Sequence, residues 1–338
     1  MKRTVFFGTL TAAGALAAAA SASTLDDVKA RGELNCGVNT GLVGFAAPDA
    51  NGNWAGFDVA ICKAVAAAVL GDPTKVKYVP LTSETRFTAL ATGEIDLLVR
   101  NSTWTFSRDT DLKFDFVGVN YYDGQGFMVK KDLGVTSAKE LEGATICIQT
   151  GTTTELNLAD YFKSNNIAYT PIAVATDAEG TAQYLAGACD AYTTDASGLA
   201  AIRAAFADPE NHIILPEIIS KEPLGPLVRH GDNQWGDIVM WTLNALVAAE
   251  EYGVTSANLE ELSKGTQNPE VNRLLGVEGD LGAMTGLDKL WAKNAIAASG
   301  NYGEIFASTI GEATPIGLAR GLNAQWTQGG LLYSPPFR

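Results

Sequence analysis

Histidine is nearly absent from this chain: His212 and His230 are the only two among 338 residues. Its four cysteines include no C-x-x-C spacing, which argues against a zinc site. G-x-S-x-G, H-E-x-x-H and P-loop spacings are missing too, so the commonest short signatures of hydrolases, zinc proteases and nucleotide-binding enzymes do not apply. Basic residues are in deficit, 24 Lys and Arg against 38 Asp and Glu, and the formal charge of −14 opposes binding to nucleic acid or an anionic membrane surface. Beyond residue 22 no segment is apolar enough to span a bilayer, which excludes direct membrane insertion of the mature chain. Low-complexity blocks and repeats of solenoid length are absent as well.

What is present describes an ordinary globular protein. With 46% hydrophobic and 18% charged residues the chain is not disordered, and its length suits about two compact units. Lys2-Arg3, the apolar run Val5 to Ala20 and the A-x-A site Ala20-Ser21-Ala22 together read as a secretory signal peptide over residues 1–22. Its removal takes away Lys2 and Arg3 and no acid, so the formal charge moves from −14 to −16. Export predicts oxidised cysteines. Four allow three pairings, and we expect pairing within each part of the chain, Cys36 with Cys62 and Cys147 with Cys189.

Two series of alternating strands and helices follow one another. The first has a helical stretch from Thr24, a strand over Glu33 to Val38, a helix capped by Asp58 and stopped by Gly71 and Pro73, and a strand over Val76 to Pro80. A helix with Phe87 and Leu90 on its core face then stops at Gly93, before the apolar run Ile95 to Val99. The second series begins after Phe127-Met128-Val129, with strands at Thr145 to Gln149, near Ile172 and at Ala191-Tyr192, separated by helices from Thr152 and around Ala178 to Ala186. Asp237 to Glu250 forms a long amphipathic helix.

Leu90 to Asp96 and Leu185 to Asp190 say nearly the same thing in the two series. Each ends a helix at a Gly, places an Asp three residues later and enters a strand that opens into a polar loop. One loop is Arg100-Asn101-Ser102-Thr103 leading to Arg108; the other is Thr193-Thr194-Asp195. Ligands of parallel α/β sheets bind beyond the carboxyl ends of strands, so loops of opposite charge predict two half-sites for a zwitterion. Arg108 can hold a carboxylate through paired charge-assisted hydrogen bonds, with the Thr103 hydroxyl beside it; the alternative is a surface Arg paired with Asp109 or Asp111. In Gln149 to Glu155, Thr152 and Glu155 have capping-box spacing and Gly151 permits a sharp turn, so free N–H groups near Thr153 could face an anion. Asp195 could hold an ammonium group, or simply cap the helix that follows.

This order of elements resembles the periplasmic substrate-binding proteins of polar amino acid ABC transporters. The motifs are Gly56-Phe57-Asp58, Arg86-Phe87 through Gly93 to Asp96, the Ser/Thr loop reaching Arg108, Gln149-Thr150-Gly151-Thr152-Thr153, and Asp190 through Asp195. The closing stretch from Gly317 to Arg338 is similar to the longer general L-amino-acid branch, including its glutamate/glutamine/aspartate/asparagine receptors. The resemblance implies a two-lobed α/β fold, each lobe a mainly parallel sheet flanked by helices, with the ligand cleft between them. Lobe 1 is expected over residues 25–125 plus 223–338 and lobe 2 over 126–222, hinged near Phe127 and Glu222. It further implies an exported, monomeric receptor without cofactor or metal that binds an L-amino acid and hands it to an inner-membrane permease. Arg108, Thr103 and Thr153 would hold the α-carboxylate, Asp195 and the backbone around Asn101 the ammonium, and Gly151 would shape the loop. Arg100 would read a side-chain carboxylate or amide, or else bridge the lobes. Leu42 stands where smaller relatives place an aromatic lid, so Phe45 or Trp104 is expected to replace it.

An exported enzyme on the same scaffold, such as a prephenate-type dehydratase, is the alternative. It would need a general acid in the cleft, for which Glu84, Glu94 and Glu155 are the candidates. A receptor's ligand-sensing domain is a third reading, with no membrane or signalling segment after it to support it.

Overall fold

A computed structural model describes residues 23–338; the signal-peptide reading of residues 1–22 lies outside them. The first half contains α1 (Thr24–Arg31), β1 (Leu34–Asn39), β2 (Ala47–Pro48), β3 (Trp54–Ala55), α2 (Phe57–Leu70), β4 (Val76–Leu81), α3 (Arg86–Thr92), β5 (Leu97–Leu98), α4 (Phe106–Thr110) and β6 (Phe114–Phe116). Next come β7 (Tyr121–Asp123), β8 (Gln125–Lys130), β9 (Thr145–Gln149), α5 (Thr153–Ser164), β10 (Thr170–Val174), α6 (Asp177–Leu185), β11 (Ala191–Asp195), α7 (Ala196–Ala204) and β12 (His212–Ile214). The chain returns through β13 (Glu222–Leu224), β14 (Leu227–Arg229) and α8 (Asn233–Glu251).

These strands build two five-stranded sheets, in the orders β4-β1-β5-β14-β6 and β10-β9-β11-β8-β12. Three strands of each sheet run parallel, β4, β1 and β5 in one and β10, β9 and β11 in the other. The remaining two join antiparallel. Helical crossovers generate the parallel part. The antiparallel strands β8 and β14 instead follow almost directly from β7 and β13, which pair antiparallel with Glu222 opposite Asp123 and carry the chain between the sheets.

The repeated sequence stretches turn out to be equivalent in space. Gly93 and Gly187 both take φ 78°, the left-handed conformation that ends a helix at little cost only for glycine. Asp96 Oδ2 accepts from the Asn35 amide at 2.8 Å, and Asp190 Oδ2 accepts from the Thr145 amide at 2.7 Å. Both aspartates therefore align the first of the parallel strands of their sheet.

One expected cap is corrected. Asp58 lies inside the first turn of α2, and Gly56 is the N-cap, at φ 131°. A Cβ there would sit 2.3 Å from the Phe45 carbonyl oxygen, so both conformation and space demand glycine. Gly56→Ala should cost roughly 2–4 kcal/mol of stability by chemical denaturation. A wild-type midpoint would show that the 42–46 turn can give way.

Helix α2 is apolar on nearly every side because residues 259–338 cover the face a shorter chain would leave wet: the helix Trp291–Ser299 packs along it. The same segment grips the connection between sheets. Asn323 accepts from the Tyr122 amide at 2.7 Å and donates to its carbonyl at 3.1 Å, and the Tyr302 hydroxyl donates to the Asn120 carbonyl at 2.8 Å. Arg320 forks onto Glu250 at 2.8 and 3.0 Å while lying over the Tyr302 and Phe306 rings. Disulfides Cys36–Cys62 and Cys147–Cys189 tie β1 to α2 and β9 to the segment before β11, as the sequence led us to expect.

Candidate functional site

The carboxyl ends of the parallel strands in both sheets meet, and the loops that follow them enclose one small polar cavity. Ser83 and Arg86 follow β4, Arg100, Asn101 and Thr103 follow β5, Gln149 ends β9 with Thr152 to Thr154 after it, and Thr194 and Asp195 end β11. Of the residues expected from sequence, Arg100, Asn101, Thr103, Thr153 and Asp195 line this cavity.

Asp195 occupies the N-cap position of α7, yet its side chain makes no capping bond. It turns to Asn101 Nδ2 instead, at 3.5 Å from the other sheet, and is 5% exposed. Burial, then the neighbouring Asp123 and Glu222 carboxylates, pushes its carboxyl well above the usual range. Asp123 is itself pushed up to about 6 by burial. The three acids form an electronegative cluster that a cation would relieve.

Arg108 does not pair with Asp109 or Asp111. Its Nη1 donates to the Thr103 carbonyl at 2.9 Å and its guanidinium lies 5.0 Å from the Phe87 ring centre. Burial lowers it to about 10, opposed by Glu222 and Asp195. Arg86 lies over the same Phe87 ring, 4.8 Å from its centre, and donates to Ser102 Oγ at 3.2 Å. Arg100 donates from Nε to the Leu81 carbonyl at 2.8 Å. Burial lowers both, and for Arg86 the Arg100 and Arg108 charges add to it. Among the described residues none of these three guanidinium groups has a carboxylate within salt-bridge distance. Arg86 Nε, Arg100 Nη2 and Ser83 Oγ are buried without a hydrogen-bond partner. Such donors are costly to leave unmet, and here they border one cavity.

Sequence reasoning missed Arg86 and Ser83, although both sit just past a parallel strand, the same position that drew attention to Arg100. It also missed Glu222, whose partners lie far away in sequence. Asn39 joins the seam, donating to Asp177 Oδ2 and Asn101 Oδ1 at 3.2 Å each. Gly151, in contrast, is not part of the cavity: its amide donates to Glu155 at 3.1 Å, and it abuts Glu84. The expected aromatic replacement for Leu42 does not occur. Phe45 is buried among Phe57 and Tyr121, and Trp104 stacks on Phe116 at 5.5 Å and donates to Asp109. Glu84 accepts from Thr150 across the seam, Glu155 serves the Gly151 turn, and Glu94 is exposed, so none of the three candidate acids lines the cavity.

Comparison with known proteins agrees with this architecture. Residues 34–258 match the family described as bacterial extracellular solute-binding proteins, family 3. The chain is 72% identical, over the full length of both, to the glutamate/glutamine/aspartate/asparagine-binding protein BztA of Rhodobacter capsulatus. It is 62% identical to the general L-amino acid-binding periplasmic protein AapJ of Rhizobium johnstonii, covering 95% of each chain. A solved structure of a periplasmic binding protein from Brucella ovis with glutathione bound superposes with a TM-score of 0.92 at 57% identity, covering 94% of this chain and 100% of that one. The fold is thus the two-lobed one of periplasmic binding proteins, with the cavity at the junction of its lobes.

Proposed function

The chain belongs to the bacterial extracellular solute-binding proteins, family 3, and from that premise we propose that it is the periplasmic receptor of an amino-acid ABC transporter, selective for L-amino acids with a carboxylate or amide side chain. One observation carries the reading: unpaired buried guanidinium groups and a buried carboxylate face each other across one cavity between two lobes. A zwitterion meets both demands. Asp195 and the Asn101 region take the ammonium, Arg108 with the first turn of α5 takes the α-carboxylate, and Arg86, Arg100 and Ser83 read the side chain. The relatives' names, which are those of binding proteins, favour a receptor without catalysis or cofactor over an enzyme.

Residues 25–125 with 223–338 act as one lobe and 126–222 as the other, moving about β7 and β13. Only the closed arrangement offers an amino acid both sets of contacts, which is the differential affinity that shifts the equilibrium and marks a loaded receptor for the inner-membrane permease. The mature protein works as an exported monomer after loss of residues 1–22.

Calorimetric titration of the refolded mature protein with the twenty L-amino acids and glutathione tests this. Glutathione joins the panel because its γ-glutamyl end carries the same ammonium and α-carboxylate. We expect 1:1 binding led by glutamate, glutamine, aspartate and asparagine. Arg86→Ala and Arg100→Ala should each weaken glutamate roughly 10- to 100-fold, as loss of a charged hydrogen bond does. Absence of binding to every amino acid would overturn the receptor reading; unchanged glutamate affinity in both variants would overturn the side-chain assignment.

A further inference from the structure

We propose that Glu222 is the positioning residue that sets proton direction in this site, turning the Thr103 and Thr153 hydroxyls into acceptors for the ligand's ammonium group. The inference rests on the receptor reading above and replaces the expectation from sequence that these hydroxyls hold the α-carboxylate.

Glu222 is 1% exposed and stands on β13, one of the two strands that cross between lobes. Its Oε2 is met by Thr103 Oγ1 at 2.5 Å from lobe 1 and by Thr153 Oγ1 at 2.8 Å from lobe 2. Its Oε1 is met by Asn157 Nδ2 at 2.7 Å and Ser220 Oγ at 2.6 Å. An ionised carboxylate accepts only, and it has sites for all four. A threonine hydroxyl has one proton and two lone pairs. Once both protons point at Glu222, what Thr103 and Thr153 can show the cavity is lone pairs.

The two hydroxyl oxygens lie 3.2 Å apart, and both residues line the same cavity as Asp195. Thr103 Oγ1, Thr153 Oγ1 and Asp195 are then three acceptors for the three N–H bonds of one ammonium group. The α-carboxylate is left to the guanidinium groups and to the N–H groups of the first turn of α5, which have no partners within the helix. A carboxylate beside the two lone-pair-bearing hydroxyls would be repelled, so the arrangement also orients the zwitterion. Because Glu222 draws one threonine from each lobe, the hydroxyls reach this polarity only when the lobes are together.

The test compares L-glutamate with glutarate, the same dicarboxylate without the ammonium, by competition titration. Glu222→Leu removes both acceptor oxygens at similar size, so the threonine protons lose the acceptor that draws them away from the cavity. Glutamate affinity should fall at least tenfold while glutarate affinity holds or rises, so their ratio drops at least tenfold. A purely structural role would weaken both equally and leave the ratio unchanged, which would overturn the proposal. Thr103→Val serves if Glu222→Leu does not fold: loss of an acceptor lowers the ratio, whereas loss of a carboxylate donor weakens glutarate at least as much as glutamate and counts against us. Failure of the wild-type protein to bind any amino acid would instead strike the receptor reading itself.

Discussion

Asp195→Asn is expected to weaken glutamate binding roughly a hundred- to a thousandfold, because it leaves a buried ammonium without its counter-charge. The same substitution should make the amino-acid-free protein more stable at neutral pH. Burial and the Asp123 and Glu222 carboxylates raise Asp195 well above the usual carboxylate range. A carboxyl that holds its proton more tightly folded than unfolded contributes stability below its unfolded pKa and loses that contribution as pH rises through the folded one. Above its unfolded pKa the buried carboxyl therefore opposes folding, and asparagine removes the titrating group at nearly constant shape.

Binding has the opposite dependence, since only ionised Asp195 pairs with an ammonium. Affinity should weaken on acidification through the raised pKa, and binding should release protons, with Asp123, pushed up to about 6, titrating as part of the same cluster. Calorimetry in buffers of different ionisation heat measures that release directly. A variant that binds glutamate normally would remove Asp195 from the ammonium site. Wild-type binding without proton release between pH 5 and 8 would show that the cluster does not titrate with the ligand.

The second large effect concerns the disulfides. Cys147→Ser with Cys189→Ser opens a bridge between residues 42 apart in sequence, and Cys36→Ser with Cys62→Ser one between residues 26 apart. Loop-closure entropy assigns each a loss of about 3–4 kcal/mol, with the longer span costing a few tenths more. Denaturant unfolding should show a midpoint shift for each pair, accompanied by retained glutamate binding at low denaturant. Midpoints equal to wild type would mean that the cross-links do not restrain the unfolded chain.

The parts of this fold that were legible in sequence are those written locally. Gly93 and Gly187 each stop a helix, and Asp96 and Asp190 each reach back to the first of the parallel strands of a sheet, so the equivalence of two α/β units could be read from six or seven residues at a time. Reading failed where two local solutions look alike. Asp58 resembles an N-cap, but the close approach of Gly56 to the Phe45 carbonyl moves the helix start by two residues. Gly151 resembles a ligand loop, but its amide is taken by Glu155. The Leu42 region suggested an aromatic substitute, but Phe45 was already committed to the core.

By itself, then, the sequence determined the succession of strands and helices and which loops end up beyond strand carboxyl termini. Periodicity, helix stops and strand ends are properties of neighbouring residues, and they survive without knowledge of the rest of the chain. Tertiary structure alone decided where the buried charges and protons point. Arg86 gains its meaning from Arg100 and Arg108, and Glu222 from Thr103, 119 residues away, and from Thr153, 69 away. A hydrogen-bond direction depends on every donor and acceptor around it, and those partners meet only when the two sheets bring their loops together.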